Sequence, residues 1–186
     1  IIGASGAGKT TLADMLLKLY EPNHGTIYID NENLKNIGGN VVRDQVGYVQ
    51  QESFIFNDSV FMNVGLGDTT ISREDVVVAL KAAHAYQFVS KMKSGIDTNL
   101  GESGSKISGG QKQRISMARA LVRKPKILIL DEATSALDKK TMLDILDIIK
   151  EESKSMLVIA ITHQQEVLDR SDYIYSLEAQ KLELLP

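Results

Sequence analysis

The sequence predicts an α/β fold with a mainly parallel sheet, a small antiparallel β portion and an inserted α-helical subdomain. Residues 126–131 (KILILD) form a continuous apolar run, which is typical of a parallel strand covered on both faces. An amphipathic stretch over residues 139–152 and a second apolar run over residues 156–161 follow it. Strands and helices therefore alternate, as in a parallel α/β layer. Residues 57–118 look mainly helical and stand outside this alternation.

Composition limits the functional classes. The chain has 186 residues with 43% hydrophobic content, enough for one domain with a real core. No run approaches the roughly 18 apolar residues of a membrane span, and no signal-like start is present. The net charge of -3 argues against a nucleic-acid partner, which favours a basic face. The absence of cysteine excludes disulfides and cysteine-ligated metals.

The remaining elements follow from local patterns. Apolar spacing and capping signals predict four further helices and two short strands: helices over residues 11–20, 72–83, 111–122 and 164–170, and strands over residues 26–30 and 46–50. The first helix has Leu12, Met15, Leu16 and Leu19 on one stripe and ends before Pro22. The strand over residues 26–30 ends at the turn-prone pair Asp30–Asn31, and 156–161 is expected to be a fully buried strand. We predict a core over residues 1–57 and 119–186 and a helical subdomain over residues 58–118.

Residues 3–10 match the phosphate-binding pattern G-x-x-x-x-G-K-[ST]. Glycines let backbone N–H groups turn toward an anion, and the next helix adds its positive end. Lys9 is expected to reach the outer phosphates and the Thr10 hydroxyl to ligate magnesium. A glycine-rich turn that binds nothing is the alternative. The predicted nucleotide contacts here are Gly3, Ala4, Ser5, Gly6, Ala7, Gly8, Lys9, Thr10 and Thr11. Because only Ile1 and Ile2 precede the loop, we expect a truncated domain, with further strands upstream in a longer polypeptide.

Asp131 and Glu132 directly follow the apolar run at 126–130. Carboxylates at the carboxyl end of a parallel strand point into the crevice where such sheets bind ligands. Asp131 suits a magnesium contact, and Glu132 suits polarising an attacking water. Alone, the pair is more often an ordinary solvated loop. Together with the phosphate loop, it predicts a nucleotide hydrolase with a P-loop NTPase core.

Residues 107–114 (ISGGQKQR) resemble the signature sequence of ABC ATPases, with Ile107 where leucine is commoner. Its position after the phosphate loop and shortly before KILILDE is also the order of that family. Ser108 and two glycines at a helix start would offer free N–H donors and a positive dipole end, a second anion site. A simple serine cap is the alternative for these residues in isolation.

The resemblance implies roles for further residues. Gln51 matches the glutamine that links magnesium and water to the transport machinery, and His163 matches the histidine near the γ-phosphate. Residues 135–138 (SALD) match the loop that crosses to a partner subunit. The implied catalytic residues are Glu132, His163 and Gln51; the implied magnesium ligands are Thr10, Gln51 and Asp131; the implied further nucleotide contacts are Ser108, Gly109, Gly110, Gln111, Ser135 and Asp138. His24 and His84 match nothing in the family and are expected at the surface.

Residues 98–104 (TNLGESG) resemble the loop that precedes the signature in exporters, with Ser103 where arginine is common. The resemblance implies an ATPase domain that uses ATP and Mg²⁺ and powers export across a membrane. It also implies a second ABC ATP-binding domain as head-to-tail partner. A transmembrane domain, N-terminal in the same full-length chain, would hold the pair at the cytoplasmic face of the membrane.

Two other classes stay open at this stage: a non-transport ABC ATPase, associated with DNA repair or with translation, and a nucleotide-binding module with little hydrolysis. A DNA-repair ABC ATPase would need a long coiled-coil insertion, and no sustained heptads separate the phosphate loop from the signature. A translation-associated member would normally carry a tandem second copy and a basic linker. The other class is a nucleotide-binding module with little hydrolysis, against which the presence of Glu132, Gln51 and His163 argues.

Overall fold

The structure is a computed structural model that describes residues 1–152, 156–179 and 181–186. Its α-helices and strands within those residues are α1 (Lys9–Leu16), β1 (Tyr28–Ile29), β2 (Glu32–Asn33), α2 (Gly39–Asp44), β3 (Val46–Val49), α3 (Val60–Gly65), α4 (Arg73–Ala82), α5 (Tyr86–Val89), α6 (Gly109–Leu121), β4 (Ile127–Asp131), α7 (Lys139–Glu152), β5 (Leu157–Ile161), α8 (Gln165–Leu168), β6 (Tyr175–Glu178) and β7 (Lys181–Leu184). Among the described residues, no helix is both long and apolar enough to cross a membrane.

The parallel sheet has the strand order β3-β4-β5, with Val46 beside Ile127 and Ile127 beside Leu157. The central strand β4 is apolar at consecutive positions because both of its faces are covered. Ile129 packs with Ala13 of α1 and with Leu17, which directly follows the helix, on one face. Its neighbours Leu128 and Leu130 join the larger core that includes the helical region on the other face. The pairs β1-β2 and β6-β7 are antiparallel, so the predicted fold class is confirmed.

The first two residues lie between β5 and β6. The Ile1 nitrogen donates to the Ala160 carbonyl oxygen at 2.5 Å, and the Thr162 N–H donates to the Ile1 carbonyl. On the other side Ile2 forms a parallel bridge with Ser176. The start of the chain therefore connects the parallel sheet to the C-terminal hairpin. A cavity of about 700 Å³ between these strands is lined largely by apolar side chains such as Leu157, Ile159 and Leu182.

The prediction of a fully buried strand over residues 156–161 is wrong. Met156 is buried but precedes the strand, while Leu157 is 59% exposed and the next three residues are half-buried. The reason is the strand's surroundings. β4 pairs with β5 along its whole length, whereas the described residues on the other side of β5 bond to it only through Ile1.

Helix α1 differs most from its prediction. It begins at Lys9 and ends at Leu16, because Lys18 takes a left-handed φ of 56°. The Lys18 ammonium donates to the carbonyls of Lys35 and Ile37, which holds this turn in place. The buried face of α1 includes Ala13, with Leu17 just beyond the helix, and the predicted stripe residue Leu19 is 54% exposed.

The first predicted strand is shorter than expected. Only Tyr28–Ile29 is strand, but Asp30 and Asn31 have φ values of 49° and 66°, so the turn is where the sequence predicts it. Two consecutive positive φ values are typical of a type I′ hairpin turn. The other predicted helices and strands differ from the observed bounds by at most two residues at either end.

Helix α6 joins the helical region to the sheet, since it packs against α3, α4 and β3. Ile115, Met117 and Ala118 of this helix are fully or almost fully buried. Helix α4 starts with a capping box, in which Ser72 and Asp75 bond each other's backbone N–H. Helix α6 continues across residue 118, and the division into residues 58–118 and the flanking core stays a prediction.

Candidate active site

The phosphate loop turns twice through left-handed backbone before α1 begins. Gly6 and Gly8 have φ values of 78° and 100°, which residues with a Cβ rarely adopt. Gly8 is also the N-cap of α1 and, being glycine, offers no side-chain cap to the helix start. The first N–H groups of an α-helix have no intrahelical partner. They are therefore free to bind an anion at the positive end of the helix.

The Lys9 side chain folds back over the loop. Its ammonium donates to the carbonyl oxygens of Gly3 at 2.7 Å and Ala4 at 2.9 Å, and only 8% of the residue is exposed. An ammonium has three N–H donors. These two bonds fix the ammonium above the loop and leave one donor for a phosphate oxygen.

Thr10 and Asp131, both predicted magnesium ligands, meet at the carboxyl end of β4. The Thr10 hydroxyl donates to Asp131 Oδ2 at 2.9 Å. The Tyr48 hydroxyl lies 3.4 Å from the same oxygen. Burial, followed by the charge of Asp131, raises the pKa of Tyr48 to about 12, so this hydroxyl keeps its proton at neutral pH.

Glu132 is held in an unusual backbone conformation directly after the strand. Its φ is 48°, and its N–H donates to the Ile161 carbonyl of β5 at 2.9 Å. Gln51 donates through Nε2 to Glu132 Oε2 at 2.8 Å. The His163 Nε2 lies 4.0 Å from Glu132 Oε1. The structure thus brings together the three residues predicted to be catalytic.

These residues fit ATP with magnesium. Magnesium prefers oxygen ligands and is usually held by one or two carboxylates together with water and substrate phosphates. Thr10 and Asp131 supply a hydroxyl and a carboxylate beside the phosphate loop. Among the described residues there is no cluster of three or more histidines, cysteines or carboxylates that would hold a metal without a substrate.

The signature residues form the start of α6. Ser108 Oγ accepts from the Gln111 N–H at 3.3 Å, and Gln111 Oε1 accepts from the Ser108 N–H at 2.9 Å. Ser108 and Gly109 are exposed, and a Cβ at Gly109 would meet no atom within 4 Å. In the described part of the chain, no hydrogen bond or ion pair joins residues 108–111 to the phosphate loop.

The loop over residues 135–138 lies beside this helix start. The buried Gln113 accepts from the Ala136 N–H at 3.2 Å, and its amide lies 3.5 Å from Ser135 Oγ. Asp138 accepts from the Thr141 N–H at the start of α7, and this bond keeps the pKa of Asp138 below its ordinary value. The signature and the loop predicted to reach a partner therefore belong to one surface.

The sequence did not single out three side chains that organise the site. Tyr48 reaches Asp131 because of the register of β3 on β4, and Gln113 is one of several polar residues in the helix predicted over residues 111–122. Thr134 donates to Gln164, which ties the loop after β4 to the loop after β5. A buried polar residue next to a motif is the sequence signal for such contacts, but burial itself depends on the fold.

The prediction for the two unassigned histidines is half right. His24 is exposed, whereas His84 is half-buried with a left-handed φ of 50°. The His84 Nδ1 lies 3.9 Å from Asp144 of α7, and the His84 carbonyl accepts from Arg114 of α6. The reason is its position in the turn between α4 and α5, which packs toward α6 and α7.

Comparison with known proteins agrees with this geometry. The family model described as ABC transporter matches residues 1–135. A putative export ATP-binding/permease protein of Rickettsia typhi is 41% identical over 98% of this chain and 32% of its own length. The heterocyst differentiation ATP-binding protein HepA of Nostoc is 42% identical over 96% of this chain and 29% of its own length.

A multidrug resistance protein of Entamoeba histolytica is 40% identical over 98% of this chain and 14% of its own length. The solved structure of a bacterial Atm1-family ABC exporter with ATP bound superposes with a TM-score of 0.92 and 39% identity. That match covers 97% of this chain and 32% of the exporter chain. The chain thus spans about a third or less of each of these proteins. Since the family model matches well over half of the chain and the exporter structure matches nearly all of it, the chain belongs to the ABC transporter family as an ATP-binding domain of exporter type.

Proposed function

We propose that this domain hydrolyses ATP to ADP and phosphate with Mg²⁺ and thereby powers export of a substrate across a membrane. The observation that carries the proposal is the position of the Glu132 carboxylate. One of its oxygens accepts from Gln51 at 2.8 Å, and the other lies 4.0 Å from His163. A carboxylate oriented in this way can accept a hydrogen bond from a water and polarise it for attack.

The remaining groups bind and neutralise the phosphates. Lys9 and the free N–H groups at the start of α1 would hold the phosphate oxygens. Thr10, Asp131 and Gln51 would hold the magnesium ion, which neutralises charge that develops on the phosphates. Gln51 donates a hydrogen bond to Glu132, so a movement of Gln51 would change the position of the proposed base.

The domain is proposed to work as a head-to-tail pair. The exposed start of α6 offers N–H donors and a positive dipole end to an anion. No described residue of the same chain's phosphate loop bonds to it. The γ-phosphate of ATP bound to a second domain fits this position, with residues 135–138 at the same interface. ATP then favours the closed pair and ADP the open one, because only ATP bridges both surfaces.

The names of the relatives support export as the process that hydrolysis drives. They include an export ATP-binding/permease protein, a multidrug resistance protein and an ABC exporter of known structure. In this proposal the domain lies at the cytoplasmic face of a membrane and receives its transmembrane partner from the same full-length chain, N-terminal to the phosphate loop. The DNA-repair and translation-associated alternatives have no support among these relatives.

The proposal is tested by Glu132→Gln in the full-length protein. The amide oxygen can still accept from Gln51, so the loop geometry and ATP binding are expected to persist. Loss of the carboxylate is expected to slow hydrolysis by about 10²–10⁴-fold, the usual contribution of a general base. The measurement is phosphate release at saturating Mg²⁺ and ATP, together with ATP affinity.

Glu74→Gln is the matched control, because Glu74 is exposed at the start of α4. It removes the same charge and is expected to hydrolyse ATP at the unmodified rate. If Glu132→Gln also retained that rate, the assignment of Glu132 as the base would be wrong.

A further inference from the structure

Tyr48 occupies a position from which its hydroxyl can act on Asp131. In the parallel register Tyr48 of β3 lies beside Ile129 of β4. Asp131 is two residues further along β4, so all three side chains point to the same face of the sheet. That face is covered by α1, and Tyr48 is partly buried against the cluster that Ile129 forms with Ala13, Leu17 and Ile161. The ring is therefore confined to the sheet face that carries Asp131.

The confined ring directs its hydroxyl to the carboxylate. The Tyr48 hydroxyl lies 3.4 Å from Asp131 Oδ2, and Thr10 donates to the same oxygen at 2.9 Å. Asp131 is 93% buried by its neighbours, as only 7% of it is exposed. A single carboxylate oxygen thus has two hydroxyl donors, one from the phosphate loop and one from β3.

From this arrangement we propose that Tyr48 is a positioning residue for magnesium. Its hydroxyl fixes the rotation of the Asp131 carboxylate so that the carboxylate serves the Mg²⁺ that accompanies ATP. This inference rests on the function proposed above. Hydrogen bonds from a second layer of residues orient metal-binding carboxylates, and their loss typically weakens metal affinity about 10–100-fold.

The test is Tyr48→Phe in the full-length protein, which keeps the ring and removes only the hydroxyl. Mn²⁺ serves as a paramagnetic probe for the magnesium position. It is titrated into protein loaded with ATP and carrying Glu132→Gln to prevent turnover. The dissociation constant for Mn²⁺ is expected to rise about tenfold, while ATP affinity in EDTA stays unchanged. In the background with Glu132 intact, the Mg²⁺ concentration for half-maximal hydrolysis should rise by a similar factor.

Two comparisons separate positioning from a general structural effect. Tyr86→Phe removes a hydroxyl from the helical region, where the Tyr86 ring lies under the Lys81 ammonium, and should leave Mn²⁺ affinity unchanged. Asp131→Ala removes the acceptor, so adding Tyr48→Phe to it should have no further effect on Mn²⁺ affinity.

An unchanged Mn²⁺ affinity in Tyr48→Phe would overturn the inference, as would an equal loss in the Asp131→Ala background. An equal loss of metal-free ATP affinity would also overturn it, because the effect would then belong to the loop as a whole. These outcomes differ from failure of the proposed function, in which the unmodified protein itself would show no Mg²⁺-dependent hydrolysis.

Discussion

The backbone at Glu132 carries strain at the point where the proposed chemistry takes place. Non-glycine residues with left-handed φ cost on the order of 1–3 kcal/mol and cluster at functional sites. Here the conformation is maintained because the Glu132 N–H bonds to Ile161 of β5 and its carbonyl accepts from Ser135. In this turn the carboxylate lies beside Gln51 and His163.

Arg119 organises the segment that follows Gln51. Its guanidinium donates to the carbonyls of Asn63 at 2.7 Å and Phe54 at 2.8 Å, and to Asn63 Oδ1 at 3.2 Å. It also lies over the Phe56 ring. Burial lowers the pKa of Arg119 to about 10, which still leaves it charged at neutral pH. One fork-shaped cation thus joins α6, α3 and the segment containing Phe54 and Phe56.

Arg119→Lys is expected to destabilise the domain because an ammonium cannot reproduce the three directed bonds. Lost hydrogen bonds to a charged group cost about 1.5–3 kcal/mol, which corresponds to a decrease in Tm of about 5 °C for a domain of this size. Differential scanning calorimetry gives the value. Arg123→Lys is the control, because Arg123 is exposed and its ion pairs with Asp44 and the half-buried Asp68 are surface pairs, which typically contribute little. Equal shifts for both variants would contradict the role given to Arg119.

At the scale of elements, α6 combines two tasks. Its middle is a core helix, with Ile115 and Ala118 fully buried. Its start is an exposed capped end, formed by Ser108 and Gln111. The capping box was implicit in the sequence, since serine with glutamine three residues later is its usual pattern. The helix start can contact a second domain only if it faces outward. That orientation is set by the packing of α6 in the core, which the local sequence pattern does not show.

Gly109→Asp is expected to abolish ATP-driven pairing of two domains while each domain still binds ATP. The new carboxylate would lie at the open helix start and repel the γ-phosphate of a partner's ATP. Light scattering with and without ATP measures the pairing. Gln87→Glu adds the same charge at an exposed position of α5 and should pair normally. ATP-driven pairs of the Gly109→Asp variant would rule out the head-to-tail arrangement.

At the scale of the whole molecule, Ile2 connects the phosphate loop to the C-terminal hairpin. Its N–H donates to the Tyr175 carbonyl at 2.8 Å, and its carbonyl accepts from the Leu177 N–H at 2.8 Å. The next residue, Gly3, is equally confined, because a Cβ there would lie 2.5 Å from the Leu177 carbonyl oxygen. The entrance of the loop is therefore fixed by β6.

Ile2→Pro removes the donor to Tyr175 and is expected to loosen this attachment. Loss of one hydrogen bond of about 1 kcal/mol should speed amide exchange at Leu177 roughly fivefold to tenfold. Hydrogen–deuterium exchange measures it. Ile2→Val keeps the N–H and should exchange as the unmodified chain does. If both variants exchanged equally, the hairpin would be held by other contacts.

The sequence predicted the parts of the molecule that depend on local pattern. The helix over Lys139–Glu152 was predicted at its observed bounds, because Met142, Ile145, Leu146 and Ile149 form one stripe and all are buried. The C-terminal hairpin of β6 and β7 was missed, since β7 is exposed throughout and shows no alternation of burial. The exposure of Leu157 could not be predicted either, because it depends on what lies beside β5 and not on the strand's own residues.

The register of β3 on β4 also has a consequence for how the chain folds during synthesis. Val46 pairs with Ile127, roughly 80 residues later in the chain. At a translation rate of about 5–20 residues per second, β4 is synthesised on the order of ten seconds after β3. Helices α3 and α4 pack chiefly against α6, which directly precedes β4 in the chain. The helical region is therefore completed only shortly before the sheet, and the apolar side chains of β3 stay exposed to other nascent chains until α6 and β4 have left the ribosome.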